Sequence, residues 1–145
     1  MDERAYRDAR GAAVPLPCVF EKALAAGCAG CATSVRRALA EREAIGCASP
    51  TARTNCATLA ALLRERAAFA LRLPPAGPLP HAAVMRLACG GLAALRDCAA
   101  PEEPDVRRLV ASAQARFGSL ADLPWPQVVA GVLAWQGRRR SGTQR

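Results

Sequence analysis

Five of the seven cysteines fall within one early stretch, Cys18, Cys28, Cys31, Cys47 and Cys56, with Cys89 and Cys98 further on. Cys28 and Cys31 form a CxxC pair; fifteen residues separate Cys31 from Cys47, and eight separate Cys47 from Cys56. Soft thiolates in this number suit Zn(II), Cu(I) and iron–sulfur clusters alike, so the pattern specifies a ligand class before it specifies a metal. The fifteen-residue gap resembles a zinc site, but zinc knuckles close each ligand pair within a few residues, and the second interval here is eight. The flanks carry helical periodicity. Both features favour an iron–sulfur cluster of the 4Fe–4S type, gripped between helices, over a zinc finger.

Helix arithmetic limits which cysteines share a site. On a straight helix Cys31 stands on the order of 20 Å from the turn that holds Cys47, while Cys56 stands roughly 9 Å past that turn. All four meet only if the chain breaks between them. The candidate ligands, in order, are Cys28 and Cys31, then Cys47 and Cys56, then Cys18 on an extended approach, then Cys89. Cys98 comes last. Ligands supplied by both chains of a homodimer would ease the distance problem.

Two other readings compete. Cys28 and Cys31 also lie three apart on one helical face, where thiols pack as small apolar groups. The equal intervals Cys47 to Cys56 and Cys89 to Cys98 suggest a disulfide-linked helical hairpin. Nine steps of about 100° turn a side chain to the opposite face, however, which speaks against that pairing.

Little else offers chemistry. His81 is the sole histidine, which excludes a multi-histidine metal site. Glu102, Glu103 and Asp105 precede a helix, where negative charge complements the helix dipole without acid–base work. Cys89-Gly90-Gly91 lacks the Lys-Ser/Thr of a phosphate loop. No catalytic residue emerges, and the chain reads as a carrier or sensor rather than an enzyme.

The elements that must position the thiols read as helices. Val19 to Ala44 carries Phe20, Leu24, Val35 and Leu39 at helical spacing, weakened at Gly27 and Gly30. Gly46, Ser49 and Pro50 signal a helix end, an N-cap and a first helical residue, hence a helical hairpin around Gly46–Pro50. The next helix runs from Pro50 to about Leu73, with Leu59, Leu62, Leu63, Phe69 and Leu73 towards the core. Pro74 to Pro80 is a linker. A helix from Pro80 to Cys98 contains Gly90-Gly91, a weak point or a close contact. Asp105 to Phe117 and Trp125 to Gln136 complete an all-α, small irregular bundle of four to six helices, with no strand. Residues 1–17 read as a flexible leader, 18–137 as a single helical domain and 138–145 as a basic flexible tail.

Composition sets the remaining bounds. The 145 residues carry a net charge of +8, almost all of it from arginine, a bias that codon usage in a GC-rich gene also produces. The charge still favours a partner protein with an acidic surface. Nucleic acid is a weaker partner, because Arg36-Arg37, Arg107-Arg108 and Arg138-Arg139-Arg140 are dispersed and only 4% of residues are aromatic. No apolar run approaches the roughly 18 residues of a membrane span, and the charged N-terminus lacks a secretory core. A cytoplasmic location follows, where seven cysteines suit metal ligation better than disulfides.

The sequence therefore points to a small cysteine-rich protein that binds an iron–sulfur cluster for electron transfer, redox sensing or cluster handling. The alternatives are a zinc or copper(I) structural or storage module, and a metal-free helical adaptor that docks through arginine faces.

Overall fold

The chain reverses direction inside the segment that periodicity assigns to a helix. Ser34–Leu39 (β1) and Arg42–Cys47 (β2) form a two-stranded antiparallel sheet, Ser34 opposite Cys47 and Leu39 opposite Arg42. The computed structural model describes residues 2–137; the expected basic tail, 138–145, lies outside them. Helix propensity is the weaker force here, since alanine's preference is a few tenths of a kcal/mol per residue. Pairing instead buries Ala44, Ile45 and Gly46 and lets Ala40 turn the chain at φ 58°. Arg36 and Glu43 pair at 2.8 Å on the exposed face.

A third extended segment lies against β2. Cys47 donates its N–H to the Leu16 carbonyl at 2.8 Å, and Cys18 donates to Ile45 at 2.9 Å, bracketing an antiparallel bridge between Pro17 and Gly46. A side chain at Gly46 would bring its Cβ to 2.5 Å from Val14 Cγ1 and 3.0 Å from the Leu16 carbonyl oxygen. Gly46 therefore permits the crossing of two chain segments rather than ending a helix.

Residues 1–17, expected to be a flexible leader, contain the helix Glu3–Ala13 (α1), N-capped by Asp2, whose carboxylate accepts the Ala5 N–H at 2.7 Å. Tyr6 is buried beneath the Arg42 guanidinium, 3.7 Å from the ring centroid, and Arg42 also pairs with Glu3 at 3.0 Å. The short helix Glu21–Ala25 (α2) ties the parts together: Glu21 pairs with Arg10 and accepts the Ile45 N–H at 2.9 Å.

The helix Pro50–Leu71 (α3) starts as its signals require, with the Ser49 hydroxyl accepting the Ala52 N–H at 3.1 Å. What precedes it is a strand, so the expected helical hairpin at Gly46–Pro50 is a strand-to-helix corner. Leu59, Leu63 and Ala67 are buried, whereas Phe69 is 96% exposed, contrary to its expected core position; two residues past Ala67, it lies on the opposite, outward face of α3. After the proline linker, His81–Met85 (α4), a π-helical turn at Arg86–Gly90 and Gly91–Ala99 (α5) follow in sequence. Val106–Phe117 (α6), a 3-10 turn at Leu120–Asp122 and Trp125–Ala134 (α7) complete the chain.

The described chain is thus mostly α-helical, a small irregular bundle carrying one two-stranded sheet. Its core joins Ile45 to Leu59, Leu63, Leu92, Leu95, Leu109, Val110, Val128 and Val132. α7 packs closely on α5, where a Cβ on Gly131 would lie 2.6 Å from Ala94 Cβ, and the residue after α7 meets the π-helical turn, where a Cβ on Gly90 would lie 2.9 Å from Trp135 Cβ. Replacing Gly131 with alanine should overpack this contact and cost about 1–3 kcal/mol, measured as a lower urea midpoint; Phe69→Gln, at the exposed end of α3, should leave the midpoint almost unchanged.

Candidate thiol site

The fold-back solves the distance problem that a straight helix poses. Ser34 lies opposite Cys47, so Cys31, three residues upstream, sits at the base of the hairpin beside the last residue of β2. The extended segment along β2 delivers Cys18, and the second turn of α3 delivers Cys56. Cys18, Cys31, Cys47 and Cys56 line one pocket with Phe20, Leu24, Ala52 and Val106 as its apolar wall. All four thiols are half-buried.

Each ligand position is held by backbone chemistry. Cys18 is fixed by its N–H to Ile45 and by Arg53, whose Nε donates to the Pro17 carbonyl at 2.7 Å. Cys47 donates its thiol to the Ser49 carbonyl at 3.2 Å. The Thr33 hydroxyl lies 3.1 Å from Cys31 Sγ and 3.9 Å from Cys47 Sγ; the two sulfurs are therefore at most about 7 Å apart, the sum of those distances.

The loop bearing Cys31 is pinned from far along the chain. Asp105 caps α6 by accepting the Arg108 N–H at 2.9 Å, and its other carboxylate oxygen accepts the Ala32 N–H. Val106 donates to the Gly30 carbonyl at 2.9 Å. Asp105 thus sits at a helix start, as its position implies, but also clamps the loop between Gly30 and Ala32.

Burial controls the protonation of the thiols. It is the main cause that pushes Cys56 up from 9.0 to about 12, with the charges of Cys18, Cys31 and Cys47 adding to it. Burial likewise raises Cys18, with smaller contributions from Cys31 and Cys47. Both Cys18 and Cys56 are thereby held towards the neutral thiol.

The CxxC pair is divided. Cys28 lies outside this pocket and faces Cys89 of the π-helical turn, which is 3% exposed; burial and the hydrogen bond with Cys28 raise Cys89 to about 12. Cys98 stands apart, donating to the Leu95 carbonyl at 3.5 Å. His81 is exposed at the start of α4. Of the six candidate ligands, the fold brings together Cys18, Cys31, Cys47 and Cys56 and sets Cys28 and Cys89 against each other.

Four thiols on apolar walls are the donor set of a thiolate-bound metal or cluster. The cavity they surround is small, about 20 Å³, and among the described residues no three His, Cys, Asp or Glu side chains stand in an arrangement that holds a metal ion. Each cysteine can swing its sulfur about one χ1 torsion, so the set fits such a group by donor chemistry and needs side-chain rotation to close on it. Among the described residues no helix is long and apolar enough to cross a membrane. No protein family, no curated protein and no solved structure matches the chain.

Thr33, Arg53 and the clamp from Asp105 to Ala32 were not foreseeable as parts of the site, because each acts on a cysteine or loop that only the folded chain brings near. Asp105→Ala should cost about 1–2 kcal/mol as a lost cap and loosen the Cys31 loop, read as faster amide exchange at Ala32; Asp105→Asn, which keeps an acceptor, should lose less. The thiols also set an alkaline limit. Cys56 and Cys89 have folded values raised above 9.0, so the folded state holds more protons than the unfolded state between the two values. Their contribution is complete below pH 9.0 and is lost as pH rises towards about 12. The reduced, metal-free protein should therefore show falling urea midpoints above pH 9.0, with a shallower fall in Cys89→Ala.

Proposed function

We propose that this protein binds an iron–sulfur cluster through Cys18, Cys31, Cys47 and Cys56 and serves electron transfer, redox sensing or cluster handling rather than catalysis. The observation that carries this reading is the convergence of four thiols from four separate chain segments on one apolar-walled pocket. Chance packing of small residues gives no reason for four segments to present cysteine at the same point. The ligand order differs from a CxxC-centred set, since Cys28 is replaced by Cys18.

A cluster suits the arrangement better than a single zinc ion. Tetrahedral zinc with bonds near 2.3 Å needs its sulfurs about 3.8 Å apart. A polynuclear cluster is larger and accepts wider separations. The apolar wall of Phe20, Leu24 and Val106 would limit water, and hydrogen bonds from the neighbouring backbone and Thr33 would tune the sulfurs. A cluster supplies one-electron chemistry when bound. The chain's own contribution is to give up thiol protons from Cys56 and Cys18, so loading should strengthen as pH rises.

Anaerobic purification with an absorption spectrum and iron and sulfide analysis tests this. Brown protein with iron and labile sulfide is expected; colourless protein with zinc or copper would instead favour the structural or storage module, and no metal the helical adaptor. Serine substitutions at Cys18, Cys31, Cys47 or Cys56 should each remove most of the iron, while Cys28→Ser, Cys89→Ser and Cys98→Ser should retain it. Full iron in the first group would sink the ligand assignment.

A further inference from the structure

Beside the thiol pocket a larger cavity, about 290 Å³, opens between the first turns of α3 and α6. Ser49, Thr51, Asn55, Cys56, Arg107 and Arg108 line it. Ala52, Cys56 and Arg107 line both cavities, so this groove adjoins the thiol site on the side of Cys56. Arg107 and Arg108 are exposed, and no ion pair among the described residues includes either of them. The carboxylates just upstream are engaged elsewhere: Asp105 with the N–H groups of Ala32 and Arg108, and Glu103 with the N–H of Asp105. Two uncompensated guanidiniums thus flank a groove whose other polar groups are neutral.

We propose that this groove is the docking site for the acidic surface of a redox partner protein, with Arg107 and Arg108 as its charge contacts and Cys56 as the point of closest approach to the thiol site. The proposal rests on the cluster reading for its redox role, though not for the docking itself. Charge complementarity is the physical basis. Transient redox complexes bury little area and rely on opposite charge to steer the encounter. The remaining wall is small and apolar, Ala52, Val110 and Ala111, as the centre of such a contact requires. No aromatic side chain lines the groove, which leaves nothing on which bases could stack.

Two measurements separate the docking from the cluster. Binding of a fluorescently labelled acidic flavodoxin to the metal-free full chain is followed by anisotropy at low ionic strength. R107E/R108E should weaken it on the order of tenfold, whereas R4E/R7E, on exposed positions of α1 near the tip of the hairpin, should change it less than about twofold. Equal loss in both variants, or none in either, overturns the docking site. Saturable binding of inorganic phosphate that R107E/R108E abolishes, together with displacement of flavodoxin by phosphate, would assign the groove to a small anion and also overturn it. Tighter binding of a single-stranded oligonucleotide through the same arginines would do likewise. In the cluster-loaded protein, reduced by dithionite, trianionic ferricyanide takes one electron from the cluster and becomes ferrocyanide. R107E/R108E should slow that oxidation about tenfold and speed oxidation by a tricationic cobalt(III) complex, both effects fading in high salt. A colourless protein that still binds flavodoxin through Arg107 and Arg108 would refute the cluster and the redox role while leaving the docking surface standing.

Discussion

The contact on which the molecule depends is the passage of residues 14–18 across β2 at Gly46. Without a side chain there, Val14 and the Leu16 carbonyl approach the strand closely enough for two flanking hydrogen bonds, from Cys47 to Leu16 and from Cys18 to Ile45. That crossing sets Cys18 beside Cys47. It also seats α1 over the hairpin, where Tyr6 and Arg42 stack, and places Ile45 in the helical core. A methyl group at position 46 would collide with the Val14 side chain and press on the Leu16 carbonyl, so the crossing requires a glycine-sized residue there.

Around that crossing the site is assembled from non-local parts. The hairpin base supplies Cys31 and Cys47, the extended segment Cys18, α3 Cys56, and α6 the carboxylate that restrains the Cys31 loop. Each segment is secured by a bond that uses a backbone group: Arg53 to Pro17, Glu21 to Ile45, Asp105 to Ala32. Side chains that satisfy exposed backbone donors and acceptors stiffen irregular segments that have no ladder of their own. These bonds hold the four cysteine-bearing segments in place around one pocket. The raised thiols of Cys18 and Cys56 follow from the same enclosure: burial disfavours their charged forms.

The two cysteine groupings also separate roles within one sequence motif. Cys28 and Cys31 are neighbours in sequence and part company in space, because the chain between them, Ala29 and Gly30, is not helical. Cys31 turns to the quartet, and Cys28 to Cys89 in the π-helical turn. A π-helical turn adds a residue to the helix, which shifts Cys89 in phase relative to the α-helical continuation through Leu92 and Leu95.

Local signals were sufficient wherever one residue type has one strong positional use. Ser49 with Pro50 marked the start of α3, Asp105 the start of α6, Gly118 its end and Trp125 the start of α7, since caps and left-handed stops act within a single turn. The mostly helical class was equally legible. Residues 33–47 were not: their alanines and spaced apolar residues satisfy a helix pattern, and only pairing across the hairpin, burial of Ile45 and the crossing at Gly46 outweigh it. The sequence by itself determined the cysteines and the helices from α3 onward, with the caps of α3 and α6. Which four thiols meet was decided by tertiary structure alone, because it depends on a chain reversal whose stabilising contacts come from residues up to 73 positions apart.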